Sequence, residues 1–373
     1  ASLLTDLVVE GARTLAFVRS RRGVEAVAMT ARDTLAEVDP DLIDRVAAYR
    51  AGYLPEERRA LEQALRAGQL LGVAATNALE LGIDVTGLDT VLMCGWPGTR
   101  ASLWQQAGRA GRSGQAALSI LVARDDPLDT YLVHHPEAIF GQPVEAAVFD
   151  PTNIYVLAPH LAAAAAEAPI TEADLATFGP TARAAVDQLV QRGLLRARPT
   201  GWFWTRPERA SDLTDLRGIG GGVIKVVEDG TGRLLGTVDP GAAHSTVHRG
   251  AVYVHQGSTY LVDQLSLEDQ VALVHRESVD YTTTARDITN ITISEVTAHE
   301  SWGDADLYFG TVDVSSQVVA FLKRRYLTGE VLGEEPLDLP PRNLHTTAVW
   351  WTINQDSITH LGLKEVDLPG CAH

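Results

Sequence analysis

Lysine is nearly missing from this chain. Of its 31 basic residues only Lys225, Lys323 and Lys364 are lysines, and none of them precedes Ser or Thr. The phosphate-cradling loop that ends in Gly-Lys-Ser/Thr is therefore absent. So is any Asp-Glu-x-His/Asp box. By itself the chain cannot hold ATP and Mg²⁺ as a complete P-loop site does. Cysteine is scarce too: Cys94 and Cys371 are the only two, which excludes a disulfide framework and suggests a reducing cytosol. No stretch of about 18 apolar residues could span a bilayer. The N-terminus has no basic segment leading into an apolar one, so no signal peptide is expected. Ala1 to Thr5 already reads as the inside of an amphipathic helix, and the chain is expected to be cut from a longer protein. A net charge of −17 argues against a generally sticky polyanion binder. The excess is uneven: residues 1–126 hold 14 basic and 16 acidic residues, the remainder 17 and 32. Phosphate contacts must be local and made largely by arginine.

The 373 residues, 45% of them hydrophobic, suffice for two or three cored domains. The chain is organised around residues 69–114. An apolar, strand-like run over 70–75 ends in Thr76-Asn77, followed by a short helical patch and Gly82-Ile83-Asp84. A second strand over 90–94 runs into Gly95-Trp96-Pro97-Gly98, then a helix starting near Ser102 carries Gln105-Gln106-Ala107-Gly108-Arg109-Ala110-Gly111-Arg112. Arg109 and Arg112, three apart, are expected on one helix face, with small neighbours that allow close approach of another surface. Arginine suits bidentate phosphate contact and can be lent to a phosphoryl group from a neighbouring domain. Further strands over 14–18 and 117–122, with helices over 2–10, 39–50 and 55–67, predict a parallel sheet covered on both faces.

Residues 75–85 resemble motif V and 105–112 motif VI of superfamily 2 helicases, and 14–22 resemble motif IV. These belong to the second of two RecA-like domains. The resemblance implies that Ser20 and Arg21, with Thr76 and Asn77, meet a nucleic-acid backbone. It implies that Gly82 and Asp84 lie at the ATP ribose or the motif VI arginines, and that Gln105 orients the attacking water. Arg109 and Arg112 would stabilise the transferring phosphoryl group, with Arg112 the first choice as arginine finger. The first RecA-like domain of the same protein would supply the missing lysine and acids. Residues 49–53 fall where many relatives carry a His-x-Gly loop.

Residues 127–152 read as a connector. Its pair His134-His135 would point to different faces of a helix and is no metal site. Residues 153–207 read as a winged helix: an Ala-rich helix over 154–168, helices over 171–178 and 180–192, and a hairpin about Pro199-Thr200. Its wing offers Arg196, Arg198, Trp202, Phe203 and Trp204 to DNA, although alternate residues of a hairpin must face inward. Residues 208–335 read as a barrel-like β-rich domain with short strands and scattered histidines His244, His248, His255 and His275. Residues 336–373 read as the start of a further, truncated region. The predicted class is α/β: a RecA-like parallel sheet (1–126), a winged helix and a β-rich barrel-like domain.

That order resembles DNA-repair helicases of the MrfA (YprA)/SftH type, through residues 17–25, 153–171, 201–206, 234–239, 248–265 and 280–288. Members continue into a zinc-binding region with four cysteines. Only Cys371 stands near that place here, so zinc is possible in the parent protein but is not assigned to this chain, for which no metal and no cofactor of its own is expected. The resemblance implies the C-terminal half of an ATP-dependent DNA helicase translocating 3′ to 5′, acting as a monomer at a junction of single strand and duplex, with no membrane partner. The chain alone would be inactive as an ATPase. The composition, Ala-rich and Arg-for-Lys, suits a cytoplasmic protein of a high-GC bacterium. The alternatives are a nonenzymatic DNA-binding module and an RNA helicase.

Overall fold

The computed structural model describes residues 1–81, 88–111, 116–213, 222–326, 328–360, 362 and 364. The chain begins with α1 (Ser2–Val9), β1 (Thr14–Val18), α2 (Arg21–Val38), β2 (Val46–Tyr49), α3 (Pro55–Arg66) and β3 (Gly72–Ala75). It continues with β4 (Thr90–Cys94), α4 (Arg100–Ala107), β5 (Leu118–Val122), α5 (Pro127–His134) and α6 (Glu137–Phe140). The five strands pair in parallel in the order β2-β3-β1-β4-β5. Side chains alternate across the pleat. Leu15, Phe17, Val73, Ala75, Val91 and Met93 enter one core with Leu65 of α3, Leu103 of α4 and Leu132 of α5. Ala16, Ala74 and Leu92 enter the other with Leu4 and Val8 of α1 and Val24, Ala28 and Leu35 of α2. Two-sided burial explains why these strands read as unbroken apolar runs. β2 was expected inside a helix over 39–50. Only a 3-10 turn, Pro40–Arg45, forms there. Val46-Ala47-Ala48-Tyr49 is drawn into the sheet because burial against β3 outweighs the helical leaning of its alanines.

Asp129, fully buried, fastens α5 to the sheet: its carboxylate accepts the Trp96 N–H at 3.1 Å and the Arg124 N–H at 2.8 Å. The winged-helix segment comprises α7 (Ile154–Glu167), α8 (Leu175–Phe178), α9 (Ala182–Gln191), β6 (Leu195–Arg198) and β7 (Gly201–Trp204). The strands form an antiparallel hairpin. Leu161, Val186, Leu189, Leu195 and Trp202 share its core.

The strand-rich remainder contains β8 (Ile224–Glu228), β9 (Leu234–Val238), α10 (Pro240–Thr246), β10 (Val252–His255), β11 (Ser258–Ser266) and β12 (Val271–Arg276). These strands form a sheet in the order β10-β11-β12-β8-β9. Then come β13 (Tyr281–Trp302), β14 (Ala305–Arg325), β15 (Val331–Pro336), β16 (Arg342–Ile353) and α11 (Gln355–His360). Where short strands were expected within 208–335, the chain forms one long hairpin, β13–β14, of 22 and 21 residues. Shifts of register between Arg286 and Asp287, and near Ile293 and Val296, let so long a ladder bend without breaking. β15 and β16 both pair β14, so the boundary expected at residue 336 falls inside one sheet.

The chain divides into two compact units: Ala1–Gly241 with Val254–Tyr260 and Ser266–Arg276, and Ala242–Tyr253 with Leu261–Leu265 and Glu277–His373. In the first, the β10–β11 turn has two left-handed residues, Gln256 (φ 48°) and Gly257 (φ 78°), the pattern of a two-residue hairpin. Glu25 of α2 gathers this turn. It accepts Arg50 Nε at 2.8 Å, the Tyr53 hydroxyl at 2.6 Å and the Gly257 N–H at 3.3 Å, while Arg50 Nη2 donates to the Val254 carbonyl at 2.9 Å. Arg50 and Glu25 are each 3% exposed. Burial beside Glu25 pushes the Tyr53 hydroxyl pKa far up, so it stays a donor. Within the second unit, His248 lies against Phe321 with ring centroids 4.7 Å apart and shares Nδ1 with the Arg249 carbonyl at 2.9 Å.

Candidate active-site and nucleic-acid edge

The polar residues of the parallel sheet collect where its strands end. β1 runs out at Val18-Arg19-Ser20, β3 at Thr76-Asn77 and β4 at Cys94-Gly95. β1 lies hydrogen-bonded between β3 and β4, so three separated stretches of sequence meet at one carboxyl edge. That edge is where ligands bind in open parallel sheets. A pocket there is lined by Arg19, Asn77, Glu80, Cys94, Ser102 and Gln106. Burial pushes the Cys94 thiol up, which makes it a lining group rather than a nucleophile.

The hydroxyls expected to meet a nucleic acid are already in use as caps. Ser20 Oγ accepts the Gly23 N–H at 3.0 Å and starts α2. Thr76 Oγ1 accepts the Ala78 N–H at 3.4 Å and starts the 3-10 turn Asn77–Leu79. What they leave for a ligand is the helix start that each one builds, a place suited to anions. Arg21 and Asn77 are exposed beside these caps.

The helix expected to carry Arg109 ends before it, so Arg109 is not helical. α4 stops at Ala107 and Gly108 caps it. Gly111 turns at φ 85°, and its N–H donates to the Leu88 carbonyl at 2.8 Å, drawing the segment alongside β4. Arg109 Nε donates to the Glu80 carbonyl at 3.1 Å, and Nη2 donates to the same oxygen. Gly82, Asp84 and Arg112 lie outside the described residues, as does Cys371. Of the twin glutamines, Gln105 is exposed and Gln106 is 5% exposed. Gln106 Nε2 donates to Glu80 Oε2 at 2.9 Å, and Ser102 Oγ donates to Glu80 Oε1 at 2.6 Å. Reading the motif by position missed Glu80, Ser102 and Gln106. Helical spacing held the signal: Gln106 is three residues after buried Leu103 and four after Ser102, on the inward face.

In the wing, pairing across the hairpin separates two faces. Leu195 and Trp204, with Ala197 and Trp202, lie on one; Arg196 and Phe203, with Arg198, lie on the other. Trp202, expected to reach DNA, is instead a core side chain 8% exposed, with the Arg183 guanidinium 5.2 Å over its ring. Trp204 packs on the same core, and its Nε1 donates to the Glu208 carbonyl at 3.0 Å. Arg196, Arg198, Phe203 and an edge of Trp204, with Thr205, line a shallow groove.

Among the described residues no group of three His, Cys, Asp or Glu is arranged to hold a metal. His135 stacks on Tyr131 at 4.3 Å and meets Glu137 at 3.2 Å. Nor does any described helix have the length and apolarity to cross a membrane.

Comparison with known proteins decides the family. The helicase conserved C-terminal domain matches residues 1–114, and the winged-helix domain of the ATP-dependent helicase HRQ1 matches 149–219. The crystal structure of the DUF1998 helicase MrfA bound to DNA superposes with a TM-score of 0.75 at 32% identity, over 96% of this chain and 49% of MrfA. The chain corresponds to the C-terminal helicase region of superfamily 2 proteins of the MrfA/YprA type. The ATP-dependent helicase YprA of Bacillus subtilis is 33% identical to this MrfA/YprA-type region, over 94% of the chain and 47% of YprA. HRQ1 of Saccharomyces cerevisiae is 31% identical over 100% of the chain and 35% of HRQ1. The MrfA/YprA-type region thus spans half or less of each of these relatives.

Proposed function

We propose that this chain is the second RecA-like half, with its winged helix and part of the DNA path, of an ATP-dependent DNA helicase that acts in DNA repair. Convergence of Arg19, Ser20, Thr76, Asn77, Gln106 and Arg109 on one sheet edge carries the reading. It is supported by similarity to MrfA, whose structures include one bound to DNA and one bound to DNA and AMPPNP.

The described residues fit one side of a nucleotide site: arginine and glutamine donors are present, and a lysine loop is missing from the sequence. Bound ATP with Mg²⁺ supplies the transferable phosphoryl group, held by the first RecA-like domain. On this side Gln105 orients water, Arg112 reaches the phosphoryl oxygens as a finger, and Arg109 braces the segment against Glu80. Gly82 and Asp84 receive the ribose or the arginines. The cap-built helix starts at Ser20 and Thr76, with Arg21 and Asn77, hold the backbone of the tracked strand. Closure of the two domains moves that grip 3′ to 5′. Arg196, Arg198 and Phe203 meet DNA near the junction with duplex. The protein works as a cytoplasmic monomer, and this chain alone neither hydrolyses ATP nor unwinds DNA.

The test is ATP hydrolysis by the full-length protein with matched DNA and RNA strands, beside the isolated chain. The reading expects stimulation by DNA well above that by RNA, and no turnover by the isolated chain. Equal or greater stimulation by RNA would favour an RNA helicase. No stimulation by either strand would favour a nonenzymatic binding module.

A further inference from the structure

Glu80 belongs to one motif-bearing stretch, 75–85, and is bonded to the segment that carries the other. It ends the 3-10 turn that Thr76 caps, four residues from that cap. Its side chain is 8% exposed. One carboxylate oxygen takes the Ser102 hydroxyl, the other the Gln106 amide, and its backbone carbonyl takes the Arg109 guanidinium. Three side chains of one segment, at positions 102, 106 and 109, therefore converge on a single residue of the other. Carboxylate acceptors form shorter, stronger bonds than neutral ones. A largely buried carboxylate is tolerated only where such donors surround it.

We infer that Glu80 is the positioning residue that couples strand binding to phosphoryl transfer. The inference rests on the function proposed above and adds a specific coupling element to it. Thr76 and Asn77 are fixed at one end of the 76–80 turn. α4 and the arginine segment are fixed at the other. A shift of the Thr76-Asn77 end on gripping a strand is carried through Glu80 to Ser102 and Gln106, and so to the exposed Gln105 and the segment that leads to Arg112. A displacement of about 1 Å at such groups is enough to change a rate by about 100-fold. Although Glu80 lines the edge pocket, both its carboxylate oxygens are taken by Ser102 and Gln106, so it acts through those side chains. Its loss acts on the ratio of strand-stimulated to basal hydrolysis rather than on affinity for either ligand.

The experiment measures kcat and KM for ATP, with and without single-stranded DNA, and the DNA Kd, on full-length protein. The variants are Glu80→Ala, Glu80→Gln, Ser102→Ala and Arg112→Ala. Glu80→Ala is expected to lower stimulated kcat by about 10-fold or more, with ATP KM and DNA Kd held within about threefold. Glu80→Gln should return most of it: its amide oxygen accepts from Ser102, and its NH₂ meets a Gln106 amide turned end for end. Ser102→Ala, which removes one bond at an accessible helix start, should lower the stimulation ratio by about threefold, and it carries the test if Glu80→Ala does not fold. Unchanged stimulation in folded Glu80→Ala, or in Ser102→Ala, overturns the inference. So does a loss of DNA affinity that matches the loss of rate, which is the mark of a merely structural role. If Arg112→Ala leaves hydrolysis intact, the reading of the site itself fails. If Arg112→Ala abolishes hydrolysis and Glu80→Ala is silent, only the coupling role falls.

Discussion

In the RecA-like domain, strands β1, β3 and β4 bury both faces and keep their polar residues for the carboxyl ends. In the wing, β6 and β7 bury one face and carry their polar residues along the other. The first arrangement gathers residues distant in sequence at one edge, and suits a site where groups must be held against one another. The second spreads neighbours of one hairpin over an open face, and suits a surface on which a strand can slide or stack. The proposed function therefore draws on strand ends in one region and on a strand face in the other. The same side chain type has opposite consequences according to which rule applies.

The sharpest way to break this distinction is to mutate adjacent aromatics of the wing. Trp202→Ala should destabilise the folded chain by about 3–5 kcal/mol, as removal of a core aromatic does, read by urea denaturation. Phe203→Ala should leave the midpoint nearly unchanged. If the two cost the same, the two-faced description of the hairpin is wrong. In the other region, Arg50→Ala strands the Glu25 carboxylate in a buried position and should cost about 3 kcal/mol or more. A cost near zero would mean that water reaches Glu25 freely. A smaller effect separates the faces functionally: Phe203→Ala should weaken single-strand binding by about 1–3 kcal/mol, measured by fluorescence anisotropy.

The smallest effect is pH dependence. Burial holds His248 below its ordinary value of 6.5, and His244 and His255 are lowered for the same leading reason. The unfolded chain therefore binds these protons first. Stability is full above about pH 6.5 and falls as pH drops below it, by up to about 1.4 kcal/mol for each unit of lowering. Thermal unfolding followed from about pH 7.5 to pH 5.5 should show this fall, and His248→Gln should flatten it. A melting temperature that rises on acidification would contradict the assignment.

Much of the fold was legible in residues 1–141 because two-sided burial leaves uninterrupted apolar runs and the motifs punctuate them. β2 was not, since four residues with two alanines carry no strand signal apart from their neighbours. The β13–β14 hairpin was read as short strands because its bulges interrupt the alternation, and pairing over twenty residues is a property of two segments at once. In the site, Ser20, Thr76 and Arg109 stood out through their motifs. The hub at Glu80 did not, because its partners lie 22 to 29 residues away and only the folded sheet brings them together. Trp202 and Phe203 are equivalent by composition, and pairing to Ala197 or to Arg196 is what separates them.

The most direct test of the central claim is DNA-stimulated ATP hydrolysis by the full-length protein, wild type against Arg112→Ala. A fall of about 10³-fold with DNA affinity preserved is the expected result, since that is the contribution of an arginine lent to the transferring phosphoryl group. Unchanged hydrolysis would contradict the account and leave the RecA-like domain as a binding scaffold.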